Sequence, residues 1–287
     1  MQLIDAGRAL LLLAGASAAS AAGGETLGRC RFDTRAGAFV GAPGVQAACL
    51  LRTVQPLGRV AAQPAVLGPN LHAIVGNPPP VTKAEMRAIL ARVGSSETAL
   101  GGSLDQPLSR GGGNAPSAPA ARYLVIHDTS TPNFGSDQFP ADIDIGDRVN
   151  GLGRYRSAGN AVAHIFLNRR GETYVGHPLD TPWRATKLEG RVGIPAKGLF
   201  LHIETVQPRR RHPSQPDGTA PVPGFTRAQY DGLALIYMAA SVRAGRGLIP
   251  AFHAAIDDGL AGGHDDPQNF DLCEFDAAIG RLLALAQ

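Results

Sequence analysis

The stretch Tyr123-Leu124-Val125-Ile126-His127-Asp128-Thr129-Ser130 decides how this chain folds. Its apolar run is too short for a helix and too uniformly apolar for a half-exposed strand, so it predicts a short strand buried on both faces. The strand ends on a histidine, and the carboxyl ends of buried strands are where functional side chains converge. Working outward, similar patterns predict strands at 163–168, 173–175 and 199–205, the first two separated by the turn Arg169-Arg170-Gly171. Helices follow. Thr226 with Gln229, and Asp271 with Glu274, have capping-box spacing. Behind them Tyr230, Leu233, Tyr237 and Ala240 fall on one helical face, and Phe275, Ile279, Leu282 and Leu283 on another. Strands interleaved with helices predict an α/β fold in which helices pack on a mixed central β-sheet.

Upstream the composition changes. Gly101-Gly102-Ser103, Gly111-Gly112-Gly113 and Ala115-Pro116-Ser117-Ala118-Pro119 predict a flexible Gly/Pro/Ala-rich linker over residues 103–120. It separates a small N-terminal domain, 22–102, from a C-terminal domain, 121–287. The N-terminal part carries one clear helix signal, with Thr82 and Glu85 as capping box and Met86, Ile89, Leu90 and Val93 on one face. Its histidine, His72, reads as a packed or surface residue. Residues 1–21 read as an export signal: Arg8 precedes the apolar run 9–14, and Ala19-Ser20-Ala21 offers a cleavage site. That run is too short for a permanent membrane span, so the expected product is exported to the periplasm or the medium.

An oxidising destination bears on the cysteines. Cys30 and Cys49 lie near each other and are expected to pair, whereas Cys273, at the start of the last helix, is expected to be a small buried thiol. A balance of 27 Lys+Arg against 24 Asp+Glu gives a net charge of only +3 and no footing for nucleic acid. The triplet Arg209-Arg210-Arg211, set among prolines, reads as a solvated loop.

Of the eight histidines, all but His72 follow the expected linker. A hydrolytic zinc centre needs three protein ligands and a fourth position open to water. His127, His253 and Asp266 can supply such a set from separate elements, while no H-E-x-x-H pair is present.

Four segments then occur in a telling order: 125–130 ending the first strand, 163–171 around His164, His202-Ile203-Glu204, and Asp266-Pro267-Gln268-Asn269-Phe270-Asp271. Together they resemble the zinc-dependent N-acetylmuramoyl-L-alanine amidases, a group that includes anhydro-muropeptide amidases, phage lysozyme-type amidases and peptidoglycan recognition proteins. The resemblance covers about residues 121–287. It implies Zn²⁺ as cofactor, peptidoglycan or muropeptides as substrate, His127, His253 and Asp266 as metal ligands, and Glu204 as the base that assists the attacking water. His264 stands where catalytic members usually carry lysine, so the resemblance implies a second catalytic role, stabilising the oxyanion. His164 is implied as a buttress, and Trp183-Arg184-Ala185 resembles a segment of the substrate cleft, with Arg184 suited to a peptide carboxylate.

Three departures stand beside this. The interval from His253 to Asp266 is longer than the family's, Gln268 replaces a glycine of the turn, and Ala163 stands where phage-type members have tyrosine. The third ligand is therefore Asp266 or His264. Two other functions fit the same residues, a non-catalytic peptidoglycan-binding module of this fold and a zinc hydrolase of another amide.

Overall fold

Tyr123–Asp128 (β4) is buried at every residue because strands lie on both of its edges and both of its faces are covered. This computed structural model describes residues 25–212 and 215–286. The export signal expected over 1–21 lies outside the described residues. The sheet has five strands in the order β10 (Ile249–Phe252), β4, β7 (Phe200–Thr205), β5 (Ile165–Leu167) and β6 (Thr173–Val175). Neighbours are parallel except the β5–β6 hairpin, so the sheet is mixed, as expected.

Register positions the chemistry. Ile126 pairs with Phe252 and His127 with Glu204, so His127, the residue after Phe252, and Glu204 all emerge at one end of three adjacent parallel strands. Gly198 makes the entry to β7 possible: its φ is +97°, and a Cβ there would meet the Arg110 carbonyl oxygen at 2.1 Å.

Helices cover the sheet. The capping boxes expected at Thr82 and Thr226 form, starting α3 (Lys83–Arg92) and α7 (Arg227–Ala244). Met86, Ile89 and Leu90 of α3 are buried, whereas Val93 is exposed just past its last turn. The expected face of α7 is buried throughout, and α7 packs on β5 and on α9 (Leu272–Ala284). Asp271 caps α9 by accepting from the N–H groups of Cys273 and Glu274. Cys273 is exposed, not buried: it sits in the first turn, off the face formed by Phe275, Ile279 and Leu282. Among the described residues no helix is long and apolar enough to cross a membrane.

The N-terminal residues are built onto the sheet. A small meander of β1 (Thr26–Leu27), β2 (Phe32–Asp33) and β3 (Ala38–Phe39) leads into α1 (Pro43–Leu50), which packs on β10. Phe39 meets the Tyr123 ring edge-on at 5.2 Å, and Tyr123 stacks on Phe200 at 4.9 Å. The Tyr123 hydroxyl accepts from Phe39 N–H and donates to Gln46, 2.9 Å each. The Cys30–Cys49 disulfide forms, as expected. Leu71 of α2 (Pro69–Ile74) and Met86 of α3 join one continuous buried cluster with Tyr123, Phe200 and Ile249.

The expected flexible linker over 103–120 is corrected by the structure. Leu104, Leu108 and Ser109 are buried, and the Arg243 guanidinium donates to the carbonyls of Gln106 and Pro107 at 2.6 and 2.9 Å. A stretch poor in apolar side chains is held here by backbone bonds to a distant helix, which composition does not reveal. One turn, α4 (Gly111–Asn114), closes it, and a second, α5 (Asp147–Asn150), lies beyond β4. Leu108→Ala should therefore cost about 2–5 kcal/mol in urea unfolding, as for a well-packed leucine. Limited proteolysis should spare the bonds of 103–110; cleavage there into two fragments that each remain folded would contradict the packing.

Candidate metal centre

Because β4 and β10 are parallel and in register, His127 and His253, the latter opening the short helix α8 (His253–Asp257), stand side by side. Their Nδ1 atoms are 2.9 Å apart, and both rings are buried. Asp266 completes the group, with Oδ1 3.0 Å from His253 Nδ1 and Oδ2 3.7 Å from His127 Nδ1. One ligand atom from each residue lies within 4.8 Å of the other two, a spacing a single metal ion can bridge. Two ring nitrogens that both offer lone pairs repel at this distance; a shared proton or cation turns the repulsion into attraction. A donor set of two imidazoles and a carboxylate matches the ligands of hydrolytic zinc sites.

The field around the site favours a positive charge at this point. Burial, then the charge of His253, holds His127 well below the usual imidazole value, leaving it neutral and able to donate a lone pair. Burial also disfavours charge on His253, but the carboxylates of Asp266 and Asp257 outweigh it and raise its pKa to about 10. Asp266 responds in the opposite sense: burial alone would raise it, and the His253 charge holds it below the usual carboxylate range. The negative field that retains a proton on His253 also attracts a metal cation, and binding the cation would release that proton.

Asp266 is itself held in place. Its Oδ2 accepts from Asp128 N–H at 3.1 Å, and Asp128 Oδ2 accepts from Gln268 N–H at 3.1 Å, so the turn 266–268 is tied to the end of β4. Gln268 is buried and donates to Gly218 O and Asp265, anchoring the hairpin of β8 (Arg210–His212) and β9 (Gln215–Thr219). Arg209 corrects the expectation of a solvated arginine triplet. It is buried with Nη2 2.7 Å from both carboxylate oxygens of Asp128, while Arg211 is exposed. Desolvation pushes Asp128 up to about 6, the Arg209 charge opposing it.

Glu204 and His264 line the same cleft, of about 440 Å³, with Trp183, Arg184 and the three metal-site residues. Glu204 Oε2 is buried without a hydrogen-bond partner, and burial, reinforced by the charges of Asp266 and Asp128, raises its pKa to about 8. It also lines an adjoining hollow with Arg154 and Tyr155. His264 is half-exposed and stacks on His253 at 4.2 Å, with Nδ1 3.8 Å from Asp266 Oδ1. Trp183 is fixed by its indole N–H to Val162 O at 2.8 Å and by stacking on His177, while Arg184 is exposed. His164 buttresses β7 and does not touch the metal site: it accepts from His202 N–H at 2.9 Å and faces Thr181 O.

Sequence reasoning missed three buried residues behind the two histidines. His202 Nδ1 is 3.0 Å from His127 Nε2, Glu189 lies 3.2 Å beyond His202, and Asp257 lies 3.1 Å from His253 Nε2. Two signals were readable: the i,i+4 spacing of His253 and Asp257, and the Thr186–Glu189 capping box that starts α6 (Lys187–Val192).

No family model matches the sequence, and a search of curated proteins finds no match. Among solved structures, the chain is similar to the endolysin N-acetylmuramoyl-L-alanine amidase LysCS from Clostridium intestinale URNW. That likeness has 16% identity and a TM-score of 0.32, covering 61% of this chain and 90% of that one. An AmpD derivative shares 18% identity at a TM-score of 0.33, covering 56% and 86%. The N-acetylmuramoyl-L-alanine amidase LysC from Clostridium intestinale URNW shares 17% at 0.33, covering 61% and 91%. Overlap of this extent is a partial likeness of backbone course, and the chemistry is read from the side chains above.

The Asp128–Arg209 pair carries a stability consequence. Removing one partner leaves the other charge buried and uncompensated, so Arg209→Ala should lose about 3–5 kcal/mol in chemical denaturation. Unchanged stability would show that water reaches Asp128.

Proposed function

We propose that this chain is a zinc-dependent N-acetylmuramoyl-L-alanine amidase, hydrolysing the amide bond between N-acetylmuramic acid and L-alanine in peptidoglycan or muropeptides. The observation that carries the proposal is the convergence of His127 Nδ1, His253 Nδ1 and the Asp266 carboxylate in the cleft that Glu204 also lines. The choice of substrate is supported by the four sequence segments that resemble the amidases in order.

In this reading His127, His253 and Asp266 hold the zinc, and His264 serves beside them. When bound, Zn²⁺ supplies Lewis acidity, polarising a carbonyl and lowering the pKa of water to about 7. Glu204 takes the proton of the attacking water and later returns it to the departing L-alanine amine. Its unpartnered Oε2 leaves an acceptor position available. His264, at the rim, donates a hydrogen bond to the developing oxyanion. The exposed guanidinium of Arg184 pairs with a stem-peptide carboxylate. The Cys30–Cys49 disulfide suits an exported protein acting on the wall from the periplasm or the medium.

Glu204→Gln should retain one zinc per chain yet lose about 10²–10⁴-fold in activity on purified sacculi, as expected for a missing general base. His264→Lys should keep both zinc and most activity, since lysine restores a donor at the rim. The wild-type protein, fully loaded with zinc, should release L-alanine amino termini from sacculi. Sacculi left intact would sink the amidase reading and favour a peptidoglycan-binding module, and loss of metal in His264→Lys would move the third ligand from Asp266 to His264.

A further inference from the structure

Behind each histidine of the metal group stands a buried carboxylate, and both carboxylates are ordered by the same turn of chain. Glu189 Oε2 accepts from Ala185 N–H, Thr186 N–H and Thr186 Oγ1–H, at 3.0, 3.1 and 3.0 Å. Asp257 accepts from Lys187 N–H and Leu188 N–H, at 3.1 and 3.0 Å. Five donors from residues 185–188 therefore fix two acceptors, and neither carboxylate has freedom to turn away.

Each carboxylate lies at ion-pair distance from a ring nitrogen. Glu189 Oε2 is 3.2 Å from His202 Nε2, and Asp257 Oδ2 is 3.1 Å from His253 Nε2; all four side chains are buried, and neither ring nitrogen is aligned in a hydrogen bond. The carboxylate charge at that distance favours the hydrogen on the nearer ring nitrogen, and a neutral imidazole has only one N–H. Hydrogen on His202 Nε2 leaves His202 Nδ1 as an acceptor, 3.0 Å from His127 Nε2. His127 then carries its hydrogen on Nε2 and turns the Nδ1 lone pair to the metal position. On the other side Asp257 performs the same selection on His253 in one step. His164 holds the backbone of His202 from behind, its Nδ1 accepting His202 N–H at 2.9 Å.

We propose that Glu189, His202 and Asp257 are positioning residues that set the tautomer and ring orientation of His127 and His253, so that both present Nδ1 to the metal, and that the 185–189 turn sets both at once. This rests on the zinc reading given above. A metal-ligating histidine gains affinity when its second nitrogen donates to an acceptor, because the ring is fixed before the metal arrives and its lone pair becomes more basic.

The experiment measures zinc affinity of the full chain by competition with a chelating dye, together with long-range ¹H–¹⁵N spectra of ¹⁵N-histidine protein loaded with zinc. His202→Phe fills the space but removes the acceptor, and should weaken zinc binding by about 10–100-fold. His202→Asn places Oδ1 near the lost Nδ1 and should recover most of that loss, which a purely space-filling role for His202 would not produce. Asp257→Asn tests the His253 arm without enlarging or emptying the core and should also weaken binding. In the wild-type spectrum, His127 and His253 should each show zinc on Nδ1 and hydrogen on Nε2. Wild-type zinc affinity in both His202→Phe and Asp257→Asn, or zinc on Nε2 of either histidine, would overturn the proposal. His127→Ala is the control for the underlying reading: if that variant keeps its zinc, the metal site itself has been misassigned, whatever the other variants do.

Discussion

Two imidazole nitrogens facing each other at 2.9 Å beside a buried carboxylate are the constraint on which the rest of this structure depends. At this separation either one nitrogen carries a hydrogen that the other accepts or both lone pairs face a shared cation, and burial makes the repulsion between two bare lone pairs larger. The fold supplies the approach. His127 ends β4, His253 follows β10, and these neighbouring strands are parallel and in register, so the two side chains leave the sheet at the same level. Antiparallel pairing would have sent them to opposite ends.

A buried site with several carboxylates needs matching cations. Asp128, Glu189, Asp257 and Asp266 are all buried, and among the described residues the arginine paired with them is Arg209, bound to Asp128. Asp257 and Glu189 Oε2 accept backbone N–H groups of the 185–188 turn, Glu189 Oε2 also taking the Thr186 hydroxyl, and these donors lend partial positive charge without a cationic side chain. Asp266 faces the two histidines. The negative charge left over is therefore concentrated at the point where the ring nitrogens meet, and this is the electrostatic basis for expecting a divalent cation there. Glu204 lies in the same field, which raises its proton affinity alongside desolvation.

Much of this was legible in the sequence. The buried β4 strand and the α7 and α9 faces follow from apolar runs and capping spacings, and the cluster of His127, His253 and Asp266 was expected from the histidine bias and from the resemblance. What was not legible depended on contacts distant in sequence. Arg209 is one of three consecutive arginines among prolines, and only its meeting with Asp128 distinguishes it from the other two. The 103–120 stretch has a linker's composition, yet Arg243, far along the chain, holds its carbonyls. The interval between His253 and Asp266 has a role of the same kind: it carries Asp258, whose carboxylate pairs with Arg52 at 2.7 Å and whose carbonyl accepts from Arg29 N–H, so it binds the N-terminal segment to this loop.

The central claim is that one metal ion sits between His127, His253 and Asp266. Anomalous difference density from crystals soaked in zinc and measured on both sides of the zinc absorption edge tests it directly. The account predicts a single strong peak about 2.0–2.2 Å from both Nδ1 atoms and from an Asp266 oxygen. A peak coordinated by His264 in place of Asp266, or no peak at this position, would contradict it.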